Sequence, residues 1–195
     1  MKKHWIFIKS NCSLILGVLL LLLSGCNKMS EKETDTLAGL NGGFEVTKNG
    51  LPVNWLIYAP TTVPDAEFEI ELDKEIFKEG SQSLKFDVKK CSSVGGWKSP
   101  GFTNEFSGNG KFEGEGIYKL SFWLKNNGAK YQVNAGGVSP LEGEMKTLVE
   151  GDEQIDDWKF FEYEIKVQQD RHLRMELNIL HPGIFWIDDI HIEKI

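Results

Sequence analysis

The sequence is poor in the residues that build most catalytic centres. Three cysteines occur in 195 residues, Cys12, Cys26 and Cys91. The four histidines, His4, His172, His181 and His191, lack the cysteine or acidic partners at the spacing a zinc site uses. No Gly-x-Ser-x-Gly elbow occurs to seat a serine nucleophile. Glycosidases need two carboxylates about 5 Å apart, or wider for inversion, and no strand carries such a pair beside aromatics in a hydrolase signature. No catalysis is expected. Basic residues are the minority, 22 against 29 acidic, for a net charge of −7; this disfavours nucleic acid and anionic polymers, which want a basic footprint. Long apolar runs are also missing. The longest, Leu14 to Leu23, is half the ~20 residues a membrane-spanning helix requires.

That short run has a different meaning at the N-terminus. Lys2, Lys3 and Lys9 precede it, and Leu23-Ser24-Gly25-Cys26 closes it. A basic start, a short apolar stretch and small residues make a signal peptide, and the last four residues resemble the bacterial lipobox. The resemblance implies that residues 1–25 are removed and that Cys26 carries the lipid. Two or three acyl chains hold firmly where one binds reversibly. Asn27 is not the Asp that favours inner-membrane retention in the Gram-negative scheme, so the outer membrane or cell surface is expected. Residues 26–38 are charged and nearly devoid of large apolar side chains, a solvated tether. Processing would leave 19 basic and 29 acidic residues, a net −10, compatible with a neutral ligand. Cys91 would then be the one unmodified cysteine, buried and inert, without an intramolecular disulfide.

From residue 39 to residue 195 the apolar period is two rather than 3.6, the mark of strands with one buried face. Phe68-Ile70-Leu72, Leu84-Phe86-Val88, Tyr118-Leu120-Phe122-Leu124, Phe161-Tyr163-Ile165-Val167 and Leu173-Met175-Leu177-Ile179 each alternate with polar residues. Shorter candidates are Phe44–Val46, Trp55–Tyr58, Tyr131–Ala135 and Phe185–Ile192. Turn-forming groups separate them, among them Lys48-Asn49-Gly50, Asn126-Asn127-Gly128 and His181-Pro182-Gly183. Antiparallel sheets with one wet side follow. Two of them packed face to face predict an all-β sandwich or jelly roll.

Five landmarks stand in order along this domain: Leu40-Asn41-Gly42-Gly43-Phe44-Glu45, Leu51-Pro52-Val53-Asn54-Trp55, Glu79-Gly80-Ser81-Gln82-Ser83-Leu84-Lys85-Phe86, Tyr118 to Lys125, and, after Trp158, Phe185-Trp186-Ile187-Asp188-Asp189-Ile190-His191-Ile192. They resemble the galactose-binding-like jelly roll, particularly the carbohydrate-binding modules that accompany xylanases and glucanases. In that family a structural calcium ties the chain ends to the Gly-Ser loop. The resemblance implies carboxylates from Glu45 and Asp188 and backbone carbonyls within Lys78 to Ser81. Asp188 lies in phase with Ile190 and Ile192, so it is expected to point inward, where an unpaired carboxylate is costly and calcium, which takes hard oxygen ligands, would offset that cost.

A sugar site needs an exposed aromatic platform beside hydrogen-bonding groups, and Trp suits the platform best. Trp123 is out of phase with Leu120, Phe122 and Leu124 and should face water. Arg174, Glu176 and Asn178 form the polar face of one strand; Gln132 and Asn134 do the same on another. Were these strands to share one concave sheet, they would floor a groove, with Trp97 of Gly95-Gly96-Trp97-Lys98 at its rim. Trp55, Trp158 and Trp186 are expected in the core. The resulting expectation is a lipid-anchored protein holding a neutral poly- or oligosaccharide. The alternative is an adaptor sandwich that contacts another envelope protein and binds no sugar. Exposed aromatics on the polar sheet face favour the first.

Overall fold

A computed structural model describes residues 35–104, 114–139 and 143–195. The expected signal peptide, Cys26 and the expected tether up to residue 34 lie outside the described residues. In chain order the strands are β1 (Thr47–Lys48), β2 (Leu51–Pro52), β3 (Trp55–Tyr58), β4 (Glu67–Asp73), β5 (Ser83–Lys90), β6 (Gly101–Asn104), β7 (Gly116–Asn127), β8 (Lys130–Val138), β9 (Gly143–Gly151), β10 (Ile155–Val167), β11 (His172–His181) and β12 (Gly183–Lys194). A single 3-10 turn, Gly96–Lys98, stands between β5 and β6.

The strands form two antiparallel five-stranded sheets and one small hairpin. The front sheet runs β3-β6-β11-β8-β9, the back sheet β10-β7-β12-β5-β4, and β1 pairs with β2. Within the two sheets, only β4–β5 and β8–β9 are sequential neighbours; elsewhere the chain crosses from one sheet to the other. This is the jelly-roll sandwich that the alternation predicts. One face of each strand supplies the core. Phe102 of β6, fully buried, meets the rings of Phe44, Trp55 and Phe86 at centroid distances of 6.2, 4.9 and 6.3 Å. Tyr118, Leu120, Phe122 and Leu124 from β7 and Leu173, Met175, Leu177 and Ile179 from β11, all fully buried, belong to the same core.

Three features depart from the sequence reading. Phe44–Val46 is not a strand; the chain there turns through Phe44 at φ 58°, and the hairpin starts at Thr47. β6 and β9 carry no clean alternation. β6 is only four residues long, and Gly101 is required there because a Cβ would lie 1.9 Å from the Leu177 carbonyl oxygen. β9 is an edge strand with a bulge against β8 between Val133 and Asn134, and a bulge breaks the two-residue period. The third departure concerns tryptophan. Trp55 is core, its Nε1 donating to the Asn41 carbonyl at 3.0 Å. Trp158 is only half-buried, on β10 where the register shifts between Ile155 and Lys159. Trp186 is buried, yet it pairs with Lys85 and Lys125, on the outer side of the back sheet.

Candidate functional site

The outer face of the front sheet is largely polar, and strand register lines its side chains up in rows. One row runs Tyr58 (β3), Gly101 (β6), Asn178 (β11), Gln132 (β8), Glu150 (β9); the next runs Leu56, Thr103, Glu176, Asn134, Thr147. Six of these side chains bond to one another. The Tyr58 hydroxyl donates to Glu176 Oε1 at 2.6 Å. Thr147 Oγ1 donates to Asn134 Oδ1 at 2.9 Å, Asn134 Nδ2 to Gln132 Oε1 at 3.0 Å, and Gln132 Nε2 to Glu150 Oε2 at 3.0 Å. Bonds from Lys130 and Gln132, with the Lys130 charge, hold the Glu150 carboxyl below its ordinary pKa. The network fixes each amide's orientation, since an acceptor on one side leaves a donor on the other.

Above one end of this face sits the loop that carries Trp97. Asn178, fully covered on β11, accepts the Gly96 N–H at 3.0 Å and donates to the Gly96 carbonyl at 3.3 Å. Ser93 Oγ donates to the Leu180 carbonyl, and the Ile179 N–H to that of Pro100. Ser99 Oγ accepts from the Gly95 N–H and donates to the Ser92 carbonyl. The loop is therefore stapled to β11 at several points, and Trp97 projects from it with 63% of its surface in water. Lys98 Nζ lies 5.5 Å from the indole centroid.

Arg174, Glu176, Asn178 and Gln132 thus share one sheet face, with Trp97 at its edge. Trp123 does not join them. It lies on β7 in the back sheet, so its outward side is the opposite flank of the sandwich, where it packs on Phe160 at 5.0 Å with Lys78 Nζ 4.0 Å from its centroid. Alternation correctly turns Trp123 away from the core, but period two assigns no strand to a particular sheet. Tyr58, Thr147 and Glu150 complete the front face and were missed. Tyr58 had a readable signal, because it alternates with the buried Trp55 and Ile57. Asn178 has a different part from the one expected, since both ends of its amide hold the loop.

The residues of the expected calcium site also come together. Asp188 is fully buried, though not by pointing inward. A bulge with Asp189 at φ 51° shifts the phase of β12, so Asp188 pairs with Trp123 and lies on that outer side, unlike Ile190. The β4–β5 loop covers it: Asp188 Oδ2 accepts the N–H groups of Lys78 at 2.7 Å and Glu79 at 3.1 Å, while Oδ1 accepts that of Asp189. Burial pushes its pKa up to about 6, against the opposing pull of those N–H bonds. Exposed Glu45 accepts from the Ser81 N–H at 2.9 Å and from Ser81 Oγ at 2.6 Å. The two carboxylates flank Gly43, where a Cβ would lie 3.8 Å from Glu45 Cγ and 4.0 Å from Asp188 Oδ1. Among the described residues no three His, Cys, Asp or Glu side chains converge on one point. A cation here would rest on these two carboxylates and on main-chain oxygens. Cys91 is half-buried and unpaired in any disulfide, its thiol pKa raised by burial.

Comparison with known proteins bears on the fold. No family model matches the chain, and no curated protein sequence matches it significantly. Solved structures do. The CBM22-1 xylan-binding domain of Paenibacillus barcinonensis Xyn10C superposes with a TM-score of 0.55 at 12% identity, over 78% of this chain and 91% of that one. The C-terminal family 22 module of Clostridium thermocellum Xyn10B, described for the role of amino acids in its cleft in ligand binding, gives 0.54 at 13%, over 78% and 95%. The CBM22-1–GH10 chain of Clostridium thermocellum xylanase 10B, complexed with xylohexaose, gives 0.55 at 14%; the match covers 72% of this chain and 26% of that longer one. The fold is that of the xylanase carbohydrate-binding modules.

Proposed function

We propose that this chain is a lipid-anchored, non-catalytic carbohydrate-binding protein of the cell envelope, holding a poly- or oligosaccharide against the outer face of the front sheet. The observation that carries this reading is the exposed indole of Trp97, on a loop stapled to β11 beside a row of oriented hydrogen-bonding side chains. A sugar ring presents an apolar CH face and a rim of hydroxyls. The indole covers the first, and Tyr58, Glu176, Gln132 and Asn134 meet the second. Because loop and row are already ordered, little rotamer freedom is lost on binding. Kinship of fold with domains described as xylan-binding supports the ligand class and makes xylan the first polymer to test. In native gels containing xylan, the wild-type chain should be retarded and Trp97→Ala should migrate freely with an unchanged melting temperature. Trp123→Ala should still be retarded. Equal retardation of wild type and Trp97→Ala would sink the proposal, and loss with Trp123→Ala would move the site to the back sheet.

Anchoring through Cys26 follows from the lipobox-like sequence: Cys26→Ser should abolish fatty-acid labelling and release the protein from the membrane fraction. Calcium is proposed as a structural ion. Glu45 and Asp188 are separated by most of the domain in sequence yet flank one glycine, and the buried Asp188 carboxylate is met by the main-chain N–H groups of Lys78, Glu79 and Asp189. Such paired hard oxygens suit calcium, with carbonyls of Lys78 and Ser81 completing the set once the loop peptides turn.

A further inference from the structure

Arg174 stands apart from the rest of the front face. The polar side chains of Glu176, Gln132 and Asn134 on the same face are hydrogen-bonded, but the Arg174 Nε is buried with no hydrogen-bond partner, and Arg174 takes part in no ion pair among the described residues. Glu176, two residues along, spends its Oε1 on Tyr58. Across the strand pair Arg174 faces Gly136, which presents no side chain. The backbone on either side is clamped by Asn104: the Met175 N–H donates to Asn104 Oδ1 at 2.6 Å, and Asn104 Nδ2 donates to the Leu173 carbonyl at 3.4 Å. A cation on a fixed stretch of backbone with an unused donor, in a protein of net charge −7 rich in carboxylates that could have neutralised it, requires a reason. A guanidinium fork matches a carboxylate with two parallel hydrogen bonds.

We propose that Arg174 selects glycans carrying a carboxylate substituent, a uronic acid, on an otherwise neutral backbone. This inference rests on the front face being the glycan site. The protein's own negative charge disfavours a polyanion, whereas one sparse carboxylate meets one guanidinium and the remaining repulsion is screened beyond ~8 Å at physiological salt.

The test compares the affinity of the full chain for glucuronoxylan and for the same polymer after carboxyl reduction, with a sulfated xylan as a third probe. Wild type is expected to prefer the uronate form about tenfold, with the preference falling as salt rises. Arg174→Gln should bind both forms equally, at the affinity of wild type for the reduced polymer. Arg174→Lys, which keeps the charge and loses the fork, should retain only part of the preference. Equal wild-type affinity for both forms overturns the inference and leaves the glycan reading standing, while no binding to any polymer overturns both. Preference for the sulfated polymer over the uronate form replaces the carboxylate with a sulfate ester and overturns the inference as stated.

Discussion

Asp73 shows how one side chain can contribute to the acid sensitivity of the fold. It accepts from Trp186 Nε1 at 2.9 Å and from the N–H groups of Glu75 and Ile76 at 3.0 Å each. Burial alone would raise its pKa; these bonds and the Lys85 charge outweigh burial and hold it below 3.8. A carboxyl whose pKa is depressed on folding stabilises the native state above its unfolded pKa, and that contribution is lost as pH falls through the folded value. Urea titrations should therefore show unfolding free energy dropping below about pH 4. Asp73→Asn should be less stable at pH 7 and show a flatter slope between pH 5 and 3; an unchanged slope would contradict the assignment. Asn178 offers a second test at this scale. Asn178→Ala removes both bonds to Gly96, at a cost of about 1–3 kcal/mol, and should weaken xylan retardation with Trp97 intact.

Among the elements, β9, like β6, lies against its neighbour at a close approach that only glycine permits. A Cβ on Gly136 would sit 1.8 Å from the Glu144 carbonyl oxygen, so Gly136→Ala cannot be accommodated without moving β9 off β8. Hydrogen exchange should show faster amide exchange in Gly143–Gly151 for this variant, with β4, β5 and β12 unaffected; uniform acceleration would point to global unfolding. The same element explains a gap in the sequence reading. Gly-Glu-Met-Lys-Thr-Leu-Val-Glu-Gly alternates poorly because an edge strand with a bulge buries residues out of step. β7, β10 and β11 were readable because each has a long, regular stretch with one face in the core. The bulge at Asp189 misled in the opposite way: it hid a phase change inside what reads as one alternating run, so Asp188 and Trp186 lie on the outer side.

For the whole molecule, the proposed calcium would join the start of the domain, the β4–β5 loop and β12. A ligand that binds only the native state raises stability by mass action. Calcium should raise the melting temperature and a chelator lower it, with Glu45→Gln losing the effect; identical melting curves with and without calcium would remove the ion. The two flanks of the sandwich also differ at this scale. The front carries the polar rows and Trp97, the back the Trp123–Phe160 pair under Lys78, so one sandwich presents two chemically distinct surfaces.

The sequence by itself determined the local rules: period-two alternation dictates strands with one buried side, turn residues dictate where they end, and out-of-phase polar residues must leave the core. Those rules act between residues a few positions apart, which is why the sandwich and the outward placement of Arg174, Glu176 and Gln132 were legible. Only the tertiary structure decided which strands became neighbours. Pairing β11 with β6 and β8 depends on contacts distant in sequence, and such contacts bind the loop that carries Trp97 to Asn178 and put Trp123 on the opposite flank.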